Sequence, residues 1–181
     1  MFDQIEYPSE LNDAFTLPNE RRLRVRALRP NEDGPIRELD AHLSPRSRYF
    51  RYLSPMPVTP ETVVRLLVSV DHRRRLTLVA ENDSGTRGEV IGLASFCAVD
   101  DRNVEVALAV RDDWQRQRVG TELARRVIDA AEARGFDRFI AHVTAENVAI
   151  RRLLKNIGDI VSAKADGAVS ELVFVRRERP T

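Results

Sequence analysis

A chain of 181 residues that is 43% hydrophobic and 31% charged has the length and composition of one globular domain with a core large enough to support an active site. Lys+Arg at 29 against Asp+Glu at 28 leaves a net charge of +1, so no global field favours nucleic acid or an anionic membrane, and any basic site must be local. A single cysteine, Cys97, excludes an internal disulfide, and His42, His72 and His142 lack metal-ligand spacing. No apolar run reaches bilayer length and no charged-then-apolar leader opens the sequence, so the expectation is a cytoplasmic protein without a structural metal or a membrane partner.

Residues 1–20 lack a clear period and contain two prolines, Pro8 and Pro18; they read as an N-terminal extension, with a single domain over 21–181. "RRLRVRAL" alternates Leu23, Val25 and Ala27 with arginines, the pattern of a half-exposed first strand with its arginines in solvent. Asn31 or Asp33 then offers a cap to an amphipathic helix carrying Ile36, Leu39 and Leu43. "SPRSRYFRYL" is a short second helix, "SPMPVTP" a loop, and Thr59 before Pro60 caps a third helix.

"RLTLVAE" and "EVIGLASFCAV" are strands joined through "NDSGTRG", a hairpin connection by composition, and "NVEVALAV" is the next strand. In that strand Val104, Val106, Leu108 and Val110 read as core, while Glu105, Ala107 and Ala109 share the other face. "RVGTELARRVIDAAEARG" places Val119, Leu123, Val127 and Ala130 on one side of a helix that stops at Gly135. "FDRFIAHV" is a strand, "AENVAIRRLLKNIG" a helix, and one or two strands including "GAVSELVFVRR" complete a mixed α/β layer structure. Cys97, between Phe96 and Ala98, reads as a small core residue, and Trp114 as a packing anchor for its loop.

The segment "DDWQRQRVG" sets Arg116 and Arg118 at the opening of the longest helix, where the backbone field opposes cations and the amides lack intrahelical partners. Two readings follow: an anion held by those amides, or a solvated turn in which Asp112 or Asp113 caps the helix. No Gly-Lys-Ser/Thr follows the loop, against a nucleotide-binding switch.

The run Gln115-Arg116-Gln117-Arg118-Val119-Gly120 resembles the acyl-CoA-binding motif Gln/Arg-x-x-Gly-x-Gly/Ala of the GNAT acetyltransferase superfamily, and in element order the resemblance extends over residues 22–177. It looks most like the acetyltransferase domain of bacterial protein lysine acetyltransferases. Arg118 departs from the motif, standing where its first glycine is usual. The resemblance implies an α/β (α+β) fold with a mixed, mostly antiparallel central sheet and helices on both faces. It also implies acetyl-CoA as cofactor, bound through Leu108, Ala109 and Val110 on one of two splayed strands, through Gln115, Arg116, Gln117, Arg118, Val119, Gly120 and Thr121, and through Asn147. Amides near Ala109 and Val110 would polarise the thioester carbonyl.

By the same resemblance Glu105 is the base that takes the proton of an acceptor amine, its pKa raised by burial; on residues alone it reads instead as an exposed cross-strand partner for an arginine. Asn147 reads also as an ordinary helix cap. The tyrosine that many relatives use to protonate the departing thiolate is missing, since Leu153 and Leu154 stand there. Arg48, Tyr49, Tyr52 and His142 are candidate contacts for the acceptor, a protein lysine or a small-molecule amine. A non-catalytic acyl-CoA-binding module is the alternative, and related domains often pair as homodimers.

Overall fold

The computed structural model describes residues 6–53, 60–83 and 88–177. In chain order these form β1 (Asp13–Thr16), β2 (Arg22–Ala27), α1 (Gly34–Ala41), α2 (Pro45–Tyr52), α3 (Pro60–Val68), β3 (Arg75–Asn82), β4 (Glu89–Ala98), β5 (Asn103–Val110), α4 (Val119–Glu132), β6 (Arg138–Thr144), α5 (Val148–Ile157), β7 (Gly158–Asp166) and β8 (Val169–Arg176). One eight-stranded sheet runs in the order β1-β2-β3-β4-β5-β6-β8-β7. Every neighbouring pair is antiparallel except β5 with β6.

Alternation along the strands divides the apolar residues between two layers. Leu78, Phe96, Phe139 and Phe174 pack with Leu123 and Val127 of α4 and Leu154 of α5. Val79, Leu93 and Ala109 pack with Ile36 and Leu39 of α1 and Leu67 of α3. The helices therefore lie on both faces of the sheet.

Two local features shape the middle of the sheet. A register shift between Ala80 and Glu81 of β3 leaves Ile91 of β4 unpaired, a bulge that swaps which side chains face each layer. Beside it Gly92 leaves no room for a side chain: a Cβ there would lie 2.9 Å from the Ala109 carbonyl oxygen and 3.0 Å from Leu123 Cδ1. This glycine lets α4 press directly onto β4. The second feature is the short parallel contact, in which only Asn103, Val104 and Glu105 of β5 pair with Arg138, Phe139 and Ile140 of β6. Beyond that point the strands part, and the β6-facing edge of β5 has no strand partner.

Several expectations from the sequence change. The segment read as an extension contributes the edge strand β1, whose Phe15 packs against the core and lies 4.6 Å beneath the Arg126 guanidinium. "RRLRVRAL" is accordingly the second strand, and Arg26 is half-buried between Glu32 and Glu81 rather than solvated. Cys97 is exposed, because it faces the half of the sheet that α1 and α3 leave uncovered. The final helix is followed by two strands joined at Gly167, which takes a positive φ of 58° in a tight turn. Thr59, most of the "SPMPVTP" loop and the centre of the "NDSGTRG" connection lie outside the described residues.

Candidate active site

The parting of β5 and β6 opens a cleft lined by Glu105, Ala107 and Leu108 from β5, His142 from β6, and Asn147 and Ile150 at the start of α5. Val104 and Val110 are buried as alternation requires, but Val106 and Leu108 are only half-buried because β6 has moved away from them. Ala109 is buried in the layer beneath α1 and α3.

Glu105 stands at the fork itself, opposite Ile140 on β6 and Cys97 on β4. Its side chain is 50% exposed, so the burial the resemblance implied is not there, because this half of the face lies beyond α1 and α3. Its neighbour is a histidine rather than an arginine ion pair: His142 Nδ1 lies 3.5 Å from Glu105 Oε1, and His142 Nε2 lies 3.5 Å from Glu171 Oε2. A carboxylate, an imidazole and a second carboxylate thus run in line across β5, β6 and β8.

At the other end of the cleft the chain leaves β5, makes a 3-10 turn at Asp112–Trp114, and enters α4 at Val119. Neither aspartate caps the helix. Asp112 accepts from the Ser44 amide (2.9 Å), the Ser44 hydroxyl (2.7 Å) and the Ser47 hydroxyl (2.8 Å). Burial pushes the Asp112 pKa up, but those hydrogen bonds outweigh it and hold the carboxyl below its ordinary value. Asp113 pairs with the buried Arg111, which also meets Glu89.

The entry to α4 is instead an Arg118 residue in the left-handed region at φ 71°, with no side-chain cap, after Arg116 at φ 59°. Among the described residues, the backbone amides of Arg116 to Thr121 donate to nothing, and no ion pair or hydrogen bond engages the exposed Arg116 and Arg118 side chains. Gly120 lies inside the first turn, where a Cβ would meet only Leu153, Leu108 and Val110 side chains, at 3.5 Å or more.

The motif's other side chains serve the loop itself. Gln115 spends both amide hydrogens, on the Val110 carbonyl and the Ser47 hydroxyl, each at 3.0 Å. Its backbone N–H reaches Asp112. Gln117 donates to the Asp113 carbonyl and accepts from Asn19. Trp114 is buried with Arg21 stacked 4.6 Å over its ring, the packing anchor the sequence indicated. Val119 is buried, Thr121 half-buried, and Asn147 caps α5 through the Ile150 amide while also lining the cleft.

Helix α2 is held against this loop by Ser44, Ser47 and Asp112. Of the acceptor candidates on it, Arg48 is committed to Asp40, meeting its carboxylate at 3.3 Å and its carbonyl at 2.7 Å. Tyr49 meets Phe50 in a tilted ring contact, and Tyr52 packs beneath α1 and α3, where burial raises its pKa. The α2 side chain that enters the cleft is Arg51, followed by Leu53 at the helix end. Sequence reasoning passed over Arg51; its signal was the four-residue spacing from Ser47, which puts both on the loop-facing side.

A family model described as the acetyltransferase (GNAT) family matches residues 40–158. The chain belongs to the GNAT acetyltransferase family. It is 28% identical over 145 residues to the acetyltransferase PA5475 of Pseudomonas aeruginosa, covering 79% of this chain and 77% of that protein. Among solved structures it is similar to the GNAT domain of S. lividans PAT, with a TM-score of 0.80 and 22% identity over 94% of this chain and 99% of that one. It is also similar to yncA from Salmonella typhimurium, solved with its cofactor acetyl-CoA, with a TM-score of 0.63 and 16% identity over 84% and 91% of the two chains. The eight-stranded sheet with helices on both faces is thus the GNAT fold. Among the described residues no helix is long and apolar enough to cross a membrane, and no group of His, Cys, Asp or Glu is placed to hold a metal.

Proposed function

We propose that this GNAT protein is an N-acetyltransferase that moves an acetyl group from acetyl-CoA to a primary amine while both are bound. The observation that carries the reading is the alignment of two sites along one cleft: the ring of undonated amides at the α4 entrance, and Glu105 at the β5–β6 fork.

The residues fit the cofactor. A diphosphate answers the amides of Arg116 to Thr121 and the two guanidinium groups beside them that no described residue engages. Bound there, acetyl-CoA supplies a thioester whose carbonyl carbon accepts the amine. The unpaired edge of β5 offers the Val110 N–H to the carbonyl oxygen, since the N–H groups alternate and Arg111 donates to Ile91 on β4, and Leu108 and Asn147 flank the path of the pantetheine. Gln115 and Gln117 shape the loop rather than reach into it.

An amine of pKa near ~10 is almost wholly protonated at neutral pH and must lose a proton before it attacks. Glu105 takes that proton, directly or through one water, and His142 at 3.5 Å holds the carboxylate in line and leads the proton toward Glu171 and solvent. With Leu153 and Leu154 on α5, no tyrosine stands there to supply the departing thiolate with a proton. Water does so, which a leaving group of pKa near ~8.5 tolerates.

The test is release of free thiol from acetyl-CoA across amines, polyamines, amino acids and lysine peptides. Turnover that depends on Glu105 supports the transferase. Tight acetyl-CoA binding with no release against any amine would instead favour a non-catalytic acyl-CoA-binding module, for which the left-handed Arg118 and the missing tyrosine speak.

A further inference from the structure

The half-buried arginines among the described residues nearly all have firm partners. The half-buried Arg26, Arg48, Arg126, Arg134 and Arg176 each meet at least one carboxylate, and Arg151 donates to the Thr144 carbonyl and the Ser170 hydroxyl. Arg51 differs. Among the described residues it has neither a carboxylate nor a backbone carbonyl as partner, only a long 3.4 Å hydrogen bond to Ser95 Oγ and the face of Tyr52 at 5.4 Å. A half-buried guanidinium with no carboxylate in contact is costly, and here burial lowers its pKa from the ordinary value, with the charges of Tyr52 and Glu105 working the other way.

The position of Arg51 gives that cost a use. Ser95 on β4 lies opposite Ala107 on β5, and Cys97 opposite Glu105, so the guanidinium and the Glu105 carboxylate stand over the same small-residue floor, one pair apart along the strand. An acceptor entering this end of the cleft meets a negative group and a positive group together. A lysine side chain on a protein presents only an ammonium. A molecule with an amine and an oxyanion a few bonds apart satisfies both.

Resting on the transferase reading above, we propose that the acceptor is a small zwitterion of the amino-acid class, its ammonium directed to Glu105 and its carboxylate held by Arg51. The planar fork of arginine suits a carboxylate, and a charge-assisted pair in a cleft of this kind discriminates strongly against the neutral amide.

The experiment measures thiol release from acetyl-CoA with each of the common amino acids, with their C-terminal amides, and with lysine peptides of neutral and acidic context, for the native chain, Arg51→Gln and Arg51→Lys. Acetyl-CoA affinity of each variant is measured by calorimetry alongside. The expected result is at least one amino acid used about 10- to 100-fold better than its own amide. Arg51→Gln should raise KM for the acid by a similar factor while leaving the amide and acetyl-CoA affinity little changed, and Arg51→Lys should recover part of the preference. Equal use of acids and amides, a preference for lysine peptides, or an Arg51→Gln variant that still favours the acid overturns this assignment and leaves the transferase standing. No thiol release with any acceptor overturns both. Should Arg51→Gln fail to bind acetyl-CoA, the acid-to-amide ratio of the native chain and of Arg51→Lys decides the question.

Discussion

Replacing Arg118 with glycine separates two contributions that the α4 entrance combines. At φ 71° the backbone of Arg118 is in the left-handed region, which costs an L-residue about 1–2 kcal/mol and glycine almost nothing. Against this, glycine's greater freedom in the unfolded chain costs roughly 0.5–1 kcal/mol. The balance is a gain of about 0–1.5 kcal/mol, which for a domain of this size is a rise in Tm of up to about 6 °C. If the amides of the turn carry the diphosphate, acetyl-CoA affinity should fall less than about 10-fold, because only a solvent-exposed charge is lost. Differential scanning calorimetry and titration calorimetry on the same preparation read both quantities. A drop in Tm would refute the strain argument, and a loss of affinity beyond about 100-fold would show that the guanidinium, rather than the backbone, grips the cofactor.

Glu105→Gln should leave acetyl-CoA affinity intact and lower kcat/KM by about 100-fold or more at pH 7, with the deficit shrinking as pH rises toward the pKa of the amine, because the acceptor then arrives already deprotonated; a pH-independent deficit would remove Glu105 as base. Gly92→Ala must displace either the Ala109 carbonyl or Leu123, which stand 2.9 and 3.0 Å from the added carbon, so it should cost about 1–3 kcal/mol in denaturant unfolding. Gly120→Ala, with nothing nearer than 3.5 Å, should leave stability unchanged or raised, and a Gly120→Ala loss equal to that of Gly92→Ala would contradict the packing described. Asp112 is held below its ordinary carboxylate pKa, so its contribution is complete above the unfolded value near ~3.9 and disappears as pH falls through the lower folded value. Asp112→Asn should therefore destabilise by about 1 kcal/mol at pH 7, after discounting for its exposure, and flatten the acid limb of a Tm-versus-pH curve; an unchanged acid limb would show that the three hydrogen bonds do not set the loop.

The elements that bury one clear face were legible. Helix α4 has its apolar residues at helical spacing, and β5 alternates, so both could be placed from sequence, as could the loop between them. What escaped depends on pairing rather than pattern. The unbroken apolar run of β4 hides a bulge at Ile91, and Gly92 looks like any strand glycine until Leu123 is brought against it. The short segment 13–16 has too few residues to show a period, and it becomes a strand only because β2 offers an edge. Cys97 was expected inside because its neighbours are apolar, and Glu105 because of the family resemblance, yet the half of the face they share lies beyond α1 and α3. On α2, tyrosines and Arg48 drew attention by residue type, whereas Arg51 enters the cleft by its phase relative to Ser47 and by the gap between β5 and β6, which no local signal records.

The same distinction explains how the α4 entrance comes to suit an anion. Two aspartates precede the helix, and in an isolated peptide either would serve as cap. Here Ser44 and Ser47 draw Asp112 onto α2, and Arg111 draws Asp113 toward Glu89. The two aspartates before the helix are thus occupied elsewhere, while Arg116 and Arg118 remain beside amides that donate to nothing among the described residues. Each element of that arrangement is unfavourable by itself: left-handed backbone at two arginines, cations against the helix field by about 0.3–1 kcal/mol each, and open donors. On the reading proposed above, the last two would be relieved by one bound diphosphate, whereas the backbone strain would persist in the complex.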